Sequence, residues 1–159
     1  MKIRVGFGYD VHQLAEGRPL WLGGIKINHE KGLQGHSDAD VLIHAICDAL
    51  LGAANLRNIG FHFPDTSSQF ENIDSKVLLK ESIKMVRKKG FEISNIDALI
   101  CAEEPKLNHY IEEMKRKMAE VLSISVEDIS IKATTSEKMG FIGRKEGMAA
   151  YATVLIQKD

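Results

Sequence analysis

Apolar and polar residues alternate almost from the start of the chain: Ile3, Val5, Phe7, Tyr9 and Val11 are separated by Arg4, Gly6, Gly8, Asp10 and His12. A period of two predicts a half-buried strand. Residues 19–28 predict a hairpin turning at Gly23-Gly24, and residues 32–37 a polar loop. A helix is expected from near Asp38 to about Asn55, with Ser37 or Asp38 as its cap. Residues 55–68 hold no sustained period and contain Gly60, Pro64 and Asp65, which predicts a long loop. Residues 74–89 predict a helix with Leu79, Ile83 and Val86 as its stripe, Arg87-Lys88-Lys89 at its C-terminal dipole and Gly90 as its stop. The nearly continuous apolar run 96–102 predicts a buried strand. A further helix is expected over 107–122, with Ile111, Met114, Met118 and Leu122 inward. A short strand through Ile129, Ile131 and Ala133, a Gly-rich loop over 140–147 and a strand over 148–157 complete the chain. This order predicts one α+β domain over residues 1–159, a mixed β-sheet with helices packed on one face.

Composition narrows the function classes. A chain of 159 residues suits one domain and closes a core without a disulfide or metal staple. With 21 basic against 22 acidic residues the net charge is −1, which advertises neither nucleic acid nor a strongly charged protein partner. Cys47 and Cys101 both lie in apolar runs, and the economical expectation is a reducing, cytoplasmic location. No apolar stretch approaches the ~20 residues of a membrane span, and no leader pattern precedes the first strand.

Six histidines remain, and three of them fall close to carboxylates. Asp10 and His12, two apart on a strand, project from one face. Asp40, His44 and Asp48 follow at i, i+4 and i+8 on one helix face. Two imidazoles and a carboxylate form the donor set of an open zinc site, with Asp40 or Asp48 expected to orient His44 through its other nitrogen. Spacing alone leaves open an ordinary strand end and a satisfied helix histidine. His36-Ser37 offers an anion contact at a helix start, or simply a cap. Thr134, Thr135 and Ser136, flanked by Lys132 and Lys138, suit phosphate oxygens, with Glu137 able to hold a divalent ion against them. A polar turn is the alternative. Asn58-Ile59-Gly60 and Phe63-Pro64-Asp65-Thr66 suit a lid or substrate wall. The segment Ala102-Glu103-Glu104-Pro105-Lys106-Leu107 follows a strand end, where a nucleotide or a plain stiffened connection fits equally. There is no Cys or Ser nucleophile with an evident base, and no Walker or Rossmann glycine pattern. Phosphoryl chemistry by positioning and electrostatics suits this inventory.

Four runs carry a resemblance over nearly the whole chain: GYDVHQL, GHSDADVLIHAICDALLGAANLRNIG, FPDT and IKATTSEKMGFIGRKEG. In order and spacing they resemble the 2-C-methyl-D-erythritol 2,4-cyclodiphosphate synthase family of the non-mevalonate isoprenoid route. The resemblance implies cyclisation of 4-diphosphocytidyl-2-C-methyl-D-erythritol 2-phosphate with loss of CMP. It implies zinc at Asp10, His12 and His44, and a second magnesium or manganese ion at Glu137. His36 and Thr135 are implied as transition-state stabilisers, with His36 and Ser37 on a substrate phosphate. Around them it implies substrate contacts from Asp10, Val11 and His12; from Asn58, Ile59, Gly60, Phe63, Pro64, Asp65, Thr66 and Ser67 on the erythritol part; and from Phe141 and Arg144. The cytidine end falls to Ala102, Glu103, Glu104, Pro105, Lys106, Leu107 and Asn108, and Thr134, Thr135, Ser136 and Glu137 are implied as further substrate contacts. It also implies a homotrimer with active sites between subunits and a central cavity able to take an isoprenoid diphosphate, where Arg144 is a natural anion contact. Asn58 stands where the family commonly has Asp, and Ser67 replaces a frequent acidic residue after FPDT. Two other readings use the same motifs, a metal-dependent nucleoside-diphosphate hydrolase and a non-catalytic isoprenoid-diphosphate-binding trimer.

Overall fold

The two glycines early in the first strand decide where the principal helix lies. In the computed structural model, which describes residues 1–159, β1 runs over Lys2–Glu16 and α1 over Val41–Ala53. A Cβ on Gly6 would stand 1.9 Å from the carbonyl oxygen of Ala49, and one on Gly8 would stand 1.9 Å from that of Ala45. Only glycine lets the helix backbone approach the strand this closely. The strand is half-buried, as its alternation predicts, but the buried half is the glycine half. Ile3, Val5, Phe7, Tyr9 and Val11 face outward, with Val5 65% and Phe7 64% exposed. The apolar surface that covers the inner face comes instead from α1, whose Val41, Leu42, Ile43, Ala45, Ile46, Ala49 and Leu50 are fully buried.

The remaining strands are β2 (Leu20–Leu22), β3 (Ile25–Ile27), β4 (Lys31–Leu33), β5 (Glu92–Cys101), β6 (Ile129–Thr134) and β7 (Gly147–Lys158). The main sheet has the order β4-β1-β7-β5-β6. It is mixed: β1 and β5 flank β7 antiparallel, while β5 and β6 run parallel. β2 and β3 form the expected hairpin, with Gly23 and Gly24 at positive φ. The other helices are α2 (Ile59–His62), α3 (Ser75–Lys88), α4 (Ile111–Leu122) and α5 (Gly140–Gly143). α1 lies on β1, β7 and β5, α3 packs on α1 and α4, and α4 reaches β6. One core cluster of 38 buried residues runs beneath them.

Several boundaries move. α1 is capped by Asp40, not by Ser37 or Asp38, because Ala39 adopts a positive φ that breaks the helix before it. Within the predicted loop 55–68, Asn58 accepts from the Phe61 N–H and nucleates the short α2. Lys31–Leu33 pairs with the far end of β1, so the loop predicted from residue 32 begins as a strand. The helix predicted from 107 opens with a 3₁₀ turn and becomes α-helical at Ile111. The Gly-rich stretch 140–147 contains α5, and Gly147 already belongs to β7.

Candidate metal centre and flanking cavities

β1 and α1 meet where Asp10 and His12 leave the inner face of the strand beneath His44 of the helix. The Asp10 Oδ2 atom lies 2.9 Å from His12 Nε2 and 3.1 Å from His44 Nδ1. The two ring nitrogens are themselves 3.1 Å apart. His12 Nδ1 donates to the Gln34 carbonyl at 2.8 Å, which leaves its Nε2 lone pair turned inward. Burial opposes ionisation of Asp10, but hydrogen bonds and charge from His12 and His44 outweigh it and hold the carboxyl down at about 2. Burial likewise opposes a charged His12, and its hydrogen bond to Asp10 prevails and raises its pKa. Three electron-pair donors that converge within 4.8 Å of one another fit a divalent cation, and the two-nitrogen, one-oxygen set leaves a fourth position open.

The expected carboxylate partner of His44 is absent. Asp40 is fully buried, and its oxygens accept from Gly23 N at 3.0 Å, Gly24 N at 2.8 Å and Ile43 N at 3.0 Å. That carboxylate joins the hairpin to the helix cap. Asp48 accepts from Ile59 N at 2.7 Å and thereby tethers α2, and burial raises its pKa. His44 Nε2 instead meets two hydroxyls, Ser75 Oγ at 2.9 Å and Ser37 Oγ at 3.1 Å. Ser75 begins α3, and no periodicity connects it with a histidine 31 positions earlier.

A cavity of about 360 Å³ opens beside the cluster and is lined by His12, His36, Ser37, His44, Ile59, Gly60, Phe63 and Asp65, together with Gly35 and the apolar Phe70, Ile73 and Leu78. Leu78 falls in the predicted helix over 74–89, while Phe70 and Ile73 lie between that helix and the predicted loop, where no motif marks them. His36 Nε2 donates to the Ser67 carbonyl at 3.0 Å, so Ser67 contributes backbone here, and Pro64 and Thr66 complete the same turn. Asn58 spends its side-chain oxygen on the α2 cap. Val11 points to the outer face, 41% exposed, away from the cluster.

A second cavity, about 410 Å³, is lined by Ala102, Glu103, Pro105, Lys106, Leu107, Asn108, His109, Ala133, Thr134 and Thr135. Glu103 is the organiser of its rim. One of its oxygens accepts from Ser136 N, Lys138 N and Ser136 Oγ at 3.1, 3.0 and 3.3 Å, and these bonds, that from Lys138 foremost, lower its pKa. They hold Glu137 and Lys138 at positive φ of 55° and 61°. Of the three adjacent hydroxyls, Thr134 donates to the Thr135 carbonyl, and the single Ser136 proton lies between the Met139 carbonyl at 2.6 Å and the more distant Glu103 oxygen. Thr135 Oγ1 accepts from Glu137 N and keeps its own proton to donate. Glu104 turns away to Lys145 at 2.9 Å, and Arg144 is forked on Glu146 at the exposed surface. Phe141 is 38% exposed on α5. Within one chain the two cavities share no lining residue, and Glu137 is not among the clustered ligands.

Fold and donor set together define the class: an α+β protein whose main helix and sheet meet at a three-ligand centre suited to a divalent ion. Residues 3–157 match the model of the YgbB family, and the chain belongs to that family. It is 66% identical over 159 residues, all of both chains, to the 2-C-methyl-D-erythritol 2,4-cyclodiphosphate synthase of Bacteroides thetaiotaomicron. Among solved structures it resembles the bifunctional IspDF of Campylobacter jejuni (TM-score 0.96, 46% identity), covering 99% of this chain and 43% of that one. It also resembles IspF of Plasmodium falciparum in complex with CDP (TM-score 0.86, 34% identity), covering 99% and 97% of the two chains.

Proposed function

We propose that the chain closes the ring of 2-C-methyl-D-erythritol 2,4-cyclodiphosphate. In that step an oxygen of the 2-phosphate forms a bond to the β-phosphorus of the diphosphocytidyl substrate. The bond from that phosphorus to the bridging oxygen breaks, and CMP leaves with the oxygen and the α-phosphate. No water is consumed. The observation that carries the reading is the convergence of Asp10, His12 and His44 beside the cavity holding His36 and Ser37, in a chain matched end to end by synthases of this name.

Asp10, His12 and His44 would hold the divalent ion, zinc by donor set, which when bound supplies Lewis-acid polarisation and charge neutralisation at the diphosphate. Ser37 presents a hydroxyl, and His36, with Nε2 committed to Ser67, keeps its other nitrogen for a phosphate oxygen. Thr135 keeps a free O–H for charge developing on the phosphates. Glu137 is the residue for a second ion, magnesium or manganese. The cavity at residues 102–108 suits the cytidine end, in line with the CDP that occupies the Plasmodium relative. Two separate half-sites and an outward apolar face on β1 support a homotrimer in which neighbouring subunits complete each site. A cytosolic location suits this reading; no helix is long and apolar enough to cross a membrane.

The deciding experiment is phosphorus NMR of the product after incubation with the cytidine substrate. A cyclic diphosphate with CMP is expected; two linear phosphates would mean hydrolysis. His44→Ala should lose bound zinc and CMP release by at least ~10³-fold while circular dichroism stays unchanged.

A further inference from the structure

His44 faces three oxygens with one ring, and the hydrogen inventory around it allows a single arrangement. Its Nδ1 lies against Asp10 and His12, so as a ligand it needs a bare Nδ1 and carries its proton on Nε2. Nε2 meets Ser75 Oγ at 2.9 Å and Ser37 Oγ at 3.1 Å. The Ser75 hydroxyl makes a short hydrogen bond to Asp38, and that carboxylate also accepts from Ser75 N at 2.9 Å and Asp40 N at 3.1 Å. A carboxylate only accepts, so the Ser75 proton goes to Asp38 and the Ser75 oxygen is free to accept from Nε2. Ser37 Oγ already accepts from Ala39 N at 3.1 Å, and it cannot donate to a nitrogen that bears a proton. Its own O–H therefore turns to the cavity it lines.

We infer that Asp38 and Ser75 are positioning residues, a one-way relay from His44 Nε2–H through the Ser75 hydroxyl to the Asp38 carboxylate. The relay fixes the tautomer and the ring angle of the helical ligand and frees the Ser37 hydroxyl for a substrate phosphate. It rests on the metal reading above. Ser75 is fully buried at the first turn of α3, while Asp38 sits in the loop before α1, so the relay also ties two elements together at the ligand. His12 receives the same service from a single backbone carbonyl, Gln34.

Cobalt(II) titration of the full chain, read by its visible ligand-field bands and by competition with a chelator, tests this. Ser75→Ala should weaken cobalt binding roughly 10–100-fold and shift the bands, with circular dichroism unchanged. Asp38→Asn should weaken it less, because an amide oxygen still accepts the Ser75 proton without charge. Ser37→Ala should leave cobalt affinity within about twofold and raise KM instead. In the zinc-loaded wild type, imidazole nitrogen NMR should show His44 protonated on Nε2, a readout that needs no variant. Ser75→Ala binding cobalt like the wild type, or a loss confined to Ser37→Ala, overturns the relay alone; a His44 proton on Nδ1 removes the lone pair facing Asp10 and His12 and overturns the metal reading too. A wild-type chain that takes up neither cobalt nor zinc overturns the metal reading with it.

Discussion

The two faces of β1 carry opposite work in the same fifteen residues. The inner face is poor in side chain: Gly6 and Gly8 admit the helix backbone, and Asp10 and His12 then meet His44. The outer face is rich in it: Ile3, Val5, Phe7, Tyr9 and Val11 run beside Tyr151 on β7, with rings of Tyr9 and Tyr151 5.0 Å apart. By hydrophobicity alone the outer row belongs inside. The difference shows that burial here follows what each row meets. A helix backbone fills the space over the glycines, whereas nothing in the chain covers the aromatic row.

The largest effect should come from breaking the inner face. Gly8→Ala puts a methyl where the Ala45 carbonyl lies, and about 3 kcal/mol of stability should be lost in urea unfolding, together with metal binding. Native-like stability would mean that the helix has slack the close approach denies. The next effect belongs to the outer face. Phe7→Asp should leave the fold intact by circular dichroism yet convert the proposed trimer to monomers in sedimentation, with CMP release lost alongside. A persisting trimer would detach the outer face from assembly.

Thiol labelling sharpens the contrast more gently. Cys101 lies on the outer face, in register with Ala149 and thence with Val11. It should label slowly in the wild type and faster in Phe7→Asp. Cys47, on the buried face of α1 with burial pushing its thiol up to about 12, should stay unreactive in both until the chain unfolds.

The smallest effect concerns the second half-site. The Glu103 carboxyl, held below its ordinary 4.5 by the bonds from Lys138 and Ser136, stabilises the 136–138 turn above that value. The contribution is lost as pH falls through the lowered pKa. Amide shifts of Ser136 and Lys138 should therefore titrate on the acid side of 4.5, and Glu103→Gln should abolish that titration and slow CMP release several-fold.

Much of the site could be read before any fold was known. D-x-H on a strand and a histidine on the next helix marked Asp10, His12 and His44 as candidate ligands beside the plainer reading of a strand end and a helix histidine, because periods of 2 and 3.6 fix which residues share a face. What periodicity misassigned was the shell around them. Asp40 and Asp48 share the face of His44 by count, yet one caps α1 against the hairpin and the other holds α2. Ser75, which meets the ring, lies 31 positions away, and only the packing of α3 on α1 brings it there. The long loop likewise hid α2, since a four-residue helix has too few positions to show a period.

Local chemistry and spacing thus indicated most element types and marked Asp10, His12 and His44 as candidate ligands and residues 134–136 as a candidate anion contact, since these depend on neighbours within a few residues. Tertiary structure alone decided which face of β1 is inside, which hydroxyl serves His44, and that the two candidate half-sites lie in separate cavities. Each of these turns on contacts between elements tens of residues apart, where the pattern of one segment carries no record of the other.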